Sequence, residues 1–323
     1  MTKRALITGV AGQDGRFLSE LLLGKGYEVW GIVGPYPGTF LEWAQDFEKL
    51  HPIDADLADM DSLLAAVETS RPDEVYNFAA ISSVGESWDS AVLAAEVNGV
   101  GVVRLMEALR LMAPAAHMFQ ASSAEMFGDA TEVPQRETTP HLPLSPYAIA
   151  KSYAHNIVAS YRRSFGMHAS SGILYNHESS MRGLQFVTRK ITDGAVRIKL
   201  GLADELRLGN LDARRDWGYA GDYVEAMWLM LQQEQPGDYV IASGEAHSIR
   251  EFCAAAFSHL GLDYEAHVVV DPAFFRPVDP HVQCGDASRA REVLGWRRTM
   301  TFCELVESMV DADLARLEGQ PSQ

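Results

Sequence analysis

Tyr147 and Lys151 stand four residues apart in Tyr147-Ala148-Ile149-Ala150-Lys151, a spacing that puts a phenol and an ammonium group on one face of a helix. A phenol with a reference pKa of about 10 is a poor base at neutral pH, and a neighbouring ammonium favours its ionised form. The pair can therefore exchange a proton with a hydroxyl group. Alone it is weak evidence, because Tyr and Lys at this spacing also occur on ordinary surface helices.

Upstream, His117-Met118-Phe119-Gln120-Ala121-Ser122 reads as a strand that runs into Ser123-Ala124-Glu125-Met126-Phe127-Gly128. At the carboxyl edge of a parallel sheet, Ser123 and Glu125 would face a ligand cleft. Ser123 would then donate a hydrogen bond to a substrate oxygen, and Glu125 would act as an acid or base. The plainer reading is a turn hydroxyl and a solvated acid.

A third group points to a phosphate. Ala5-Leu6-Ile7-Thr8 leads into Gly9-Val10-Ala11-Gly12-Gln13-Asp14-Gly15, followed by the apolar stripe Phe17, Leu18, Leu21 and Leu22. Gly9, Gly12 and Gly15 suit a tight strand-to-helix turn in which a diphosphate approaches backbone N–H groups. The helix start adds partial positive charge, so an acidic chain can still meet an anion there. A nicotinamide dinucleotide is the expected occupant, with Lys151 on its ribose and its positive ring beside Tyr147.

Positioning these groups requires a sheet with helices on both faces. Strands are expected at Arg4–Thr8, Glu28–Val33, Glu74–Phe78, His117–Ser122 and His168–Tyr175, alternating with helices at Gly15–Lys25, Met60–Ser70, Ala91–Leu111 and Pro146–Phe165. Ser145 and Pro146 read as the cap and first residue of the last helix. The class is α/β, a doubly wound parallel-sheet Rossmann fold with a smaller interleaved C-terminal lobe. Residues 1–176 form the dinucleotide-binding unit, with returning segments about 215–245, and residues 177–323 mainly form the second lobe. Regular alternation reappears at Asp222–Gln233 and Tyr239–Ser243, and Gly319–Gln323 reads as a frayed tail.

Composition narrows the partners. A formal charge of −17 with acids spread along the chain disfavours nucleic acid and anionic membrane, both of which need a basic face. No apolar run reaches the roughly 20 residues of a spanning helix, and Met1-Thr2-Lys3-Arg4 leads directly into a strand. A cytoplasmic location is the expectation. Cys253, Cys284 and Cys303 have no metal-ligand spacing and read as packed thiols; no histidine motif supports a metal site.

With these residues placed, the chain closely resembles the GDP-mannose 4,6-dehydratase family, which belongs to the extended short-chain dehydrogenase/reductases. The likeness covers nearly the whole length. It runs through Thr8–Gly15, Asp73–Asn77, Tyr147–Lys151, Gly172–Ser179, Phe186–Ile191, Arg215–Gly218 and Asp271–Pro277, and Leu294-Gly295-Trp296 fits the wider class. The resemblance implies loss of water from a GDP-hexose, with hydride moved from C4 to C6 through a recycled NADP+. Tyr147 would take the 4-hydroxyl proton, Glu125 the C5 proton, and Ser123 would hold the 4-oxygen, while Lys151 supports Tyr147. It also implies a cofactor set of Gly9, Gly12, Gln13, Asp14, Gly15, Asp56, Leu57, Ala79, Ala80, Tyr147 and Lys151. Ser82, Asn176, Lys190, Arg215 and Arg276 would meet the sugar nucleotide; a structural ion pair is the plainer role for the last two.

Several positions depart from the family pattern. The paired arginines expected after the second strand are replaced by Gly34-Pro35-Tyr36-Pro37-Gly38, which offers a 2′-phosphate no cation. NAD or NADP therefore stays open, with NAD favoured. The same loop helps build the family's tetramer, so a homodimer is as reasonable as a homotetramer. Ser123 stands for a threonine, Ala124 for a serine, and Val278-Asp279 for alanine and glutamate. GDP-mannose is the default substrate. A GDP-sugar epimerase or 4-ketoreductase is the alternative enzyme, and a non-catalytic dinucleotide sensor the alternative class.

Overall fold

The computed structural model describes residues 2–34, 43–45, 47–275 and 282–319. The longer helices are numbered here, and all strands. The first half contains β1 (Arg4–Thr8), α1 (Gln13–Gly24), β2 (Glu28–Ile32), β3 (Leu50–Ile53), α2 (Met60–Ser70), β4 (Glu74–Asn77), α3 (Gly101–Met112), β5 (His117–Ser123), α4 (Pro146–Phe165) and β6 (Ala169–Leu174). After these come β7 (Asn176–Glu178), α5 (Val187–Lys199), β8 (Leu206–Leu208), β9 (Arg214–Tyr219), α6 (Ala220–Leu231), β10 (Asp238–Ile241), β11 (Ala246–Ser248), α7 (Ile249–His259), β12 (Val268–Val270) and α8 (Phe302–Glu318).

Seven strands form one parallel sheet in the order β10-β6-β5-β4-β1-β2-β3. The order reverses between β1 and β4, the switch point at which doubly wound sheets bind ligands. Successive side chains of each strand go to opposite faces. Thus Ala5 and Ile7 of β1 pack with Leu18 and Leu22 of α1 and with Met227 and Met230 of α6. Leu6 instead joins Leu63 of α2, Leu105 of α3 and Val158 of α4 on the other face.

The strand β3 was not expected from the sequence. It has four residues and contains Pro52, which pairs opposite Gly31 at the sheet edge, the one place where a missing N–H costs no ladder bond. The single helix expected over Ala91–Leu111 is interrupted. A short helix at Ala91–Ala95 passes through a wider π turn at Glu96–Val100 before α3 begins. Asn98 in that turn bonds both the N–H (2.8 Å) and the carbonyl (3.0 Å) of Ile81, fixing the loop after β4.

The second core is built from α5, α7 and α8. Ile191, Val196, Phe252, Phe257, Val306 and Met309 meet there around Trp217. Two small sheets, β11-β9-β7 and β12-β8, accompany it. Gly319 closes α8, and the rest of the expected tail lies outside the described residues. No helix among the described residues is long and apolar enough to cross a membrane. Cys253, Cys284 and Cys303 are free thiols.

Candidate active site

The turn after β1 is shaped by close backbone contacts. Gly9 has φ +67°, and a side chain there would place Cβ 2.8 Å from the Ala79 nitrogen. A Cβ at Gly15 would lie 2.5 Å from Cα and O of Val10. Gly12 caps α1 with no side-chain hydrogen bond, so the first-turn N–H groups keep their donors for a ligand. Gly9 and Gly15 therefore leave no room for a side chain against the chain's own backbone, the tightness that a diphosphate-binding turn requires.

A ladder of buried polar side chains crosses the strand ends beneath the turn. Thr8 Oγ1 donates to Asn77 Oδ1 (2.5 Å), Asn77 Nδ2 to Gln120 Oε1 (2.8 Å), and Gln120 Nε2 to the Ala121 carbonyl (3.0 Å). Lys151 Nζ donates to that same carbonyl at 2.9 Å. Thr8 Oγ1 also accepts from the N–H groups of Phe78 and Ala79. The phosphate turn, the end of β4 and the lysine are thus joined by bonded groups, which buried polar atoms require.

The helix bearing Tyr147 and Lys151 is capped as the sequence suggests. Ser145 Oγ accepts from the Ala148 N–H (3.1 Å), and Ser87 Oγ from the Tyr147 N–H (3.3 Å). Ser123 Oγ accepts from the Glu125 N–H at 3.2 Å. Burial pushes Tyr147 up to about 12; nearby Ser123 opposes this, and the charge of Glu125 adds to it. Burial also brings Lys151 down to about 8, opposed by Asp14. The Lys151 nitrogen lies 5.8 Å from the Tyr147 ring centre, and among the protein groups alone the burial of the phenol is the dominant influence.

Ser123, Glu125, Tyr147 and Lys151 line one cleft of about 480 Å³. Asp14, Ala80, Ser82, Asn176 and Lys190 line it too. Lys190 holds its ammonium 3.7 Å above the Phe274 ring centre, another cleft residue. Gly9, Gly12, Gln13, Gly15 and Ala79 form or support the phosphate turn outside that lining. Asp56 follows β3 exposed, accepting from the Ala58 N–H (2.9 Å), while Leu57 is buried where Gly101 makes room for it.

Arg215 is buried on β9 beside β11 and donates to the Arg214 carbonyl (2.9 Å), and it is not among the residues lining this cleft. Its neighbour Asp216 accepts from the N–H groups of Ser243 (2.7 Å), Gly244 (2.9 Å) and Gly285 (3.3 Å), which fixes this strand internally. Arg276, Pro35–Gly38, Val278 and Asp279 lie outside the described residues.

Sequence reasoning gave no role to His177, Arg182, Gln185, Trp217 or Phe274, all of which line the cleft. His177 pairs with Asp14 at 2.9 Å. Burial opposes charge on both, but mutual attraction outweighs it, holding Asp14 below and His177 above its ordinary value. His177 stands in a stretch already noted as matching the family, the one signal that could have drawn it out. Among the described residues no His, Cys, Asp and Glu cluster could hold a metal ion.

The comparisons with known proteins agree with this geometry. A family model described as GDP-mannose 4,6 dehydratase matches residues 6–309. The chain is 48% identical over 327 residues to GDP-mannose 4,6 dehydratase 2 of Arabidopsis thaliana, covering 97% of this chain and 87% of that one. It is 42% identical over 348 residues to GDP-mannose 4,6 dehydratase of Homo sapiens, covering 98% and 93%. Among solved structures, a UDP-glucose 4-epimerase of Thermus thermophilus in complex with NAD matches with a TM-score of 0.84 at 28% identity, covering 96% and 98%. With the glycine turn, the Tyr/Lys pair and Glu125 in one fold, the chain belongs to the GDP-mannose 4,6-dehydratase family.

Proposed function

We propose that the protein is a lyase that removes water from GDP-mannose to give GDP-4-keto-6-deoxymannose, using a nicotinamide dinucleotide held by the turn Gly9–Gly15. The observation that carries this reading is the carboxylate of Glu125 in the same cleft as Ser123, Tyr147 and Lys151. A simple ketoreductase needs a phenol, an ammonium and a hydroxyl donor. A base for C5 is the addition that dehydration demands.

The chemistry supplied by a bound nicotinamide dinucleotide is hydride uptake from C4, hydride return at C6, and positive charge beside the phenol. Tyr147, which lines the cleft with Ser123, takes the 4-hydroxyl proton as the C4 hydride leaves. The new ketone acidifies C5, and Glu125 removes that proton and delivers it to the departing C6 hydroxyl, forming water. As hydride reaches C6, C5 recovers a proton, supplied by Tyr147 or through solvent. Atoms balance with loss of one water, and the dinucleotide ends as it began. Lys151 is anchored on the Ala121 carbonyl and keeps its remaining N–H groups for the ribose and the phenol side.

Ser82, Asn176, Lys190, Arg215 and Arg276 are proposed for the sugar nucleotide, with Ser82, Asn176 and Lys190 best supported by their place in the cleft. His177 and Arg182 join that proposal. NAD is preferred over NADP because Gly34–Gly38 carry no basic side chain; the affinities for NAD+ and NADP+ decide the point. The proposed division is a dinucleotide unit of residues 1–176 with returning segments about 215–245, and a sugar-nucleotide lobe in residues 177–323.

A homo-oligomer, with a dimer as its smallest unit, is also proposed. Val92 and Leu93 on one helix, and Ile149 and Tyr153 on α4, are exposed, and Gly99 lets the two helices approach at Tyr153. Apolar side chains grouped on neighbouring helices suit a second copy. Incubation with GDP-mannose tests the reaction. Product lighter by one water supports dehydration, whereas an unchanged mass with a new sugar configuration makes the protein an epimerase.

A further inference from the structure

The two residues that open α1 do not cap it; their side chains reach the segment that follows β6. Gln13 Nε2 donates to the His177 carbonyl at 3.0 Å, and Ser179 Oγ donates to Gln13 Oε1 at 2.8 Å. Asp14 Oδ2 meets His177 Nε2 at 2.9 Å. Three contacts therefore join places more than 160 residues apart in the chain.

The receiving segment also has contacts of its own. His177 Nδ1 meets the Tyr175 carbonyl at 2.8 Å, and its ring stacks on Tyr223 with centres 4.6 Å apart. Ser179 Oγ accepts from the Met181 N–H at 3.1 Å, leading directly to Arg182. Asn176, Arg182, Gln185 and Lys190, all in or just after this segment, line the cleft.

An acid in the first turn of α1 would, unpaired, repel a diphosphate at the same N–H groups. The imidazole answers that charge from the segment that follows β6. A ligand that immobilises Gly12–Gly15 must also immobilise Gln13 and Asp14, and through them His177 and Ser179. A second ligand resting on the ordered segment then loses less freedom on binding.

Resting on the dehydratase reading above, we propose that the contacts of Gln13 and Asp14 with His177 and Ser179 couple the dinucleotide turn to the sugar-nucleotide cleft. Dinucleotide binding raises the affinity for the GDP moiety, and by linkage GDP raises the affinity for dinucleotide by the same factor. The factor falls within the ordinary range of about 5- to 150-fold.

Ser179 is the clean reporter, because it is buried and forms no part of the cleft wall. GDP is titrated calorimetrically into nucleotide-free protein, with and without saturating NAD+ or NADP+, for the native chain, Ser179→Ala and Ser179→Thr. The expected result is tighter GDP binding with dinucleotide present, a coupling factor reduced at least threefold in Ser179→Ala, and recovery in Ser179→Thr. Gln13→Ala, measured at saturating dinucleotide, removes the same link from the other side and serves if Ser179→Ala does not fold. Equal coupling in all variants, or none in the native chain while both ligands bind, overturns the proposal. A chain that dehydrates GDP-mannose without coupling sinks the staple alone. One that couples the ligands yet leaves GDP-mannose unchanged sinks the activity alone.

Discussion

The Lys151 ammonium group rests 2.9 Å from the main-chain oxygen of Ala121, an oxygen that Gln120 also engages at 3.0 Å. The lysine of the Tyr/Lys pair is therefore positioned by the strand that carries Ser123, and that strand is bonded across Asn77 to Thr8 beneath the phosphate turn.

Replacing Gln120 by Leu tests this ladder. Asn77 Nδ2 would lose its acceptor inside the core, a loss that typically costs about 1–3 kcal/mol. Urea unfolding should show a drop of that size, together with a lower kcat as the Ala121 carbonyl that anchors Lys151 loses its other donor. Unaltered stability would mean that the ladder holds nothing.

Tyr147→Phe and Glu125→Gln should fail at different points. Without the phenol, proton removal from O4 stops, and turnover falls by about 10²- to 10⁴-fold. Without the Glu125 carboxylate, C4 oxidation can still occur while water loss cannot. A single turnover of Glu125→Gln should therefore accumulate reduced nicotinamide absorbance, which Tyr147→Phe should not. Equal behaviour of the two variants contradicts the division of labour.

His155 lies one helical turn beyond Lys151, and its Nδ1 meets Ser122 Oγ at 3.0 Å. Burial lowers it to about 4, with Asp238 opposing, and His141 and Arg162 adding to the shift. Its folded value is thus below the unfolded value of about 6.5. Below about 6.5 the unfolded chain takes up a proton that the folded chain refuses, so stability declines as pH falls towards 4. At about 1.4 kcal/mol per pH unit, the loss is on the order of 3 kcal/mol. Unfolding curves for His155→Gln should show a shallower decline across that window, and an identical slope would remove His155 as its source.

The pair Asp14–His177 has a different window. The lowered Asp14 contributes stability above about 3.9 that is lost as pH falls through its folded value. The raised His177 contributes stability below about 6.5 that is lost as pH rises through its own folded value. His177→Asn should therefore cost more at pH 6 than at pH 9 in denaturant unfolding. A cost independent of pH would contradict a charged pair.

Gly15→Ala should weaken dinucleotide binding at least tenfold and destabilise the fold by about 1–3 kcal/mol. The added Cβ would meet the Val10 backbone at 2.5 Å, and backbone cannot swing aside as a flexible side chain can. Fluorescence titration with NAD+ and NADP+ reads the first effect and thermal unfolding the second.

Features set by local spacing were legible in the sequence. The glycine turn, the cap at Ser145-Pro146, the shared face of Tyr147 and Lys151, and Ser123 at a strand end all follow from neighbours in the chain. Features set by distant partners were not. Asp14 finds His177 across 163 positions, and only the closed fold brings them together. Likewise the high pKa of Tyr147 reflects burial, which spacing does not encode. Strands β7, β8, β11 and β12 have three residues each, too few for a period of two to stand out. The burial of Arg215 on β9 against β11 was likewise not legible, because it is set by a strand that comes later in the chain.

The central claim is internal transfer of hydride from C4 to C6, and isotope position reads it directly. GDP-mannose carrying deuterium at C4 is converted in unlabelled water, and the product is analysed by mass and by NMR. The account requires a product lighter by one water with the deuterium at C6. Deuterium still at C4, deuterium lost to solvent, or a product of unchanged mass would contradict it.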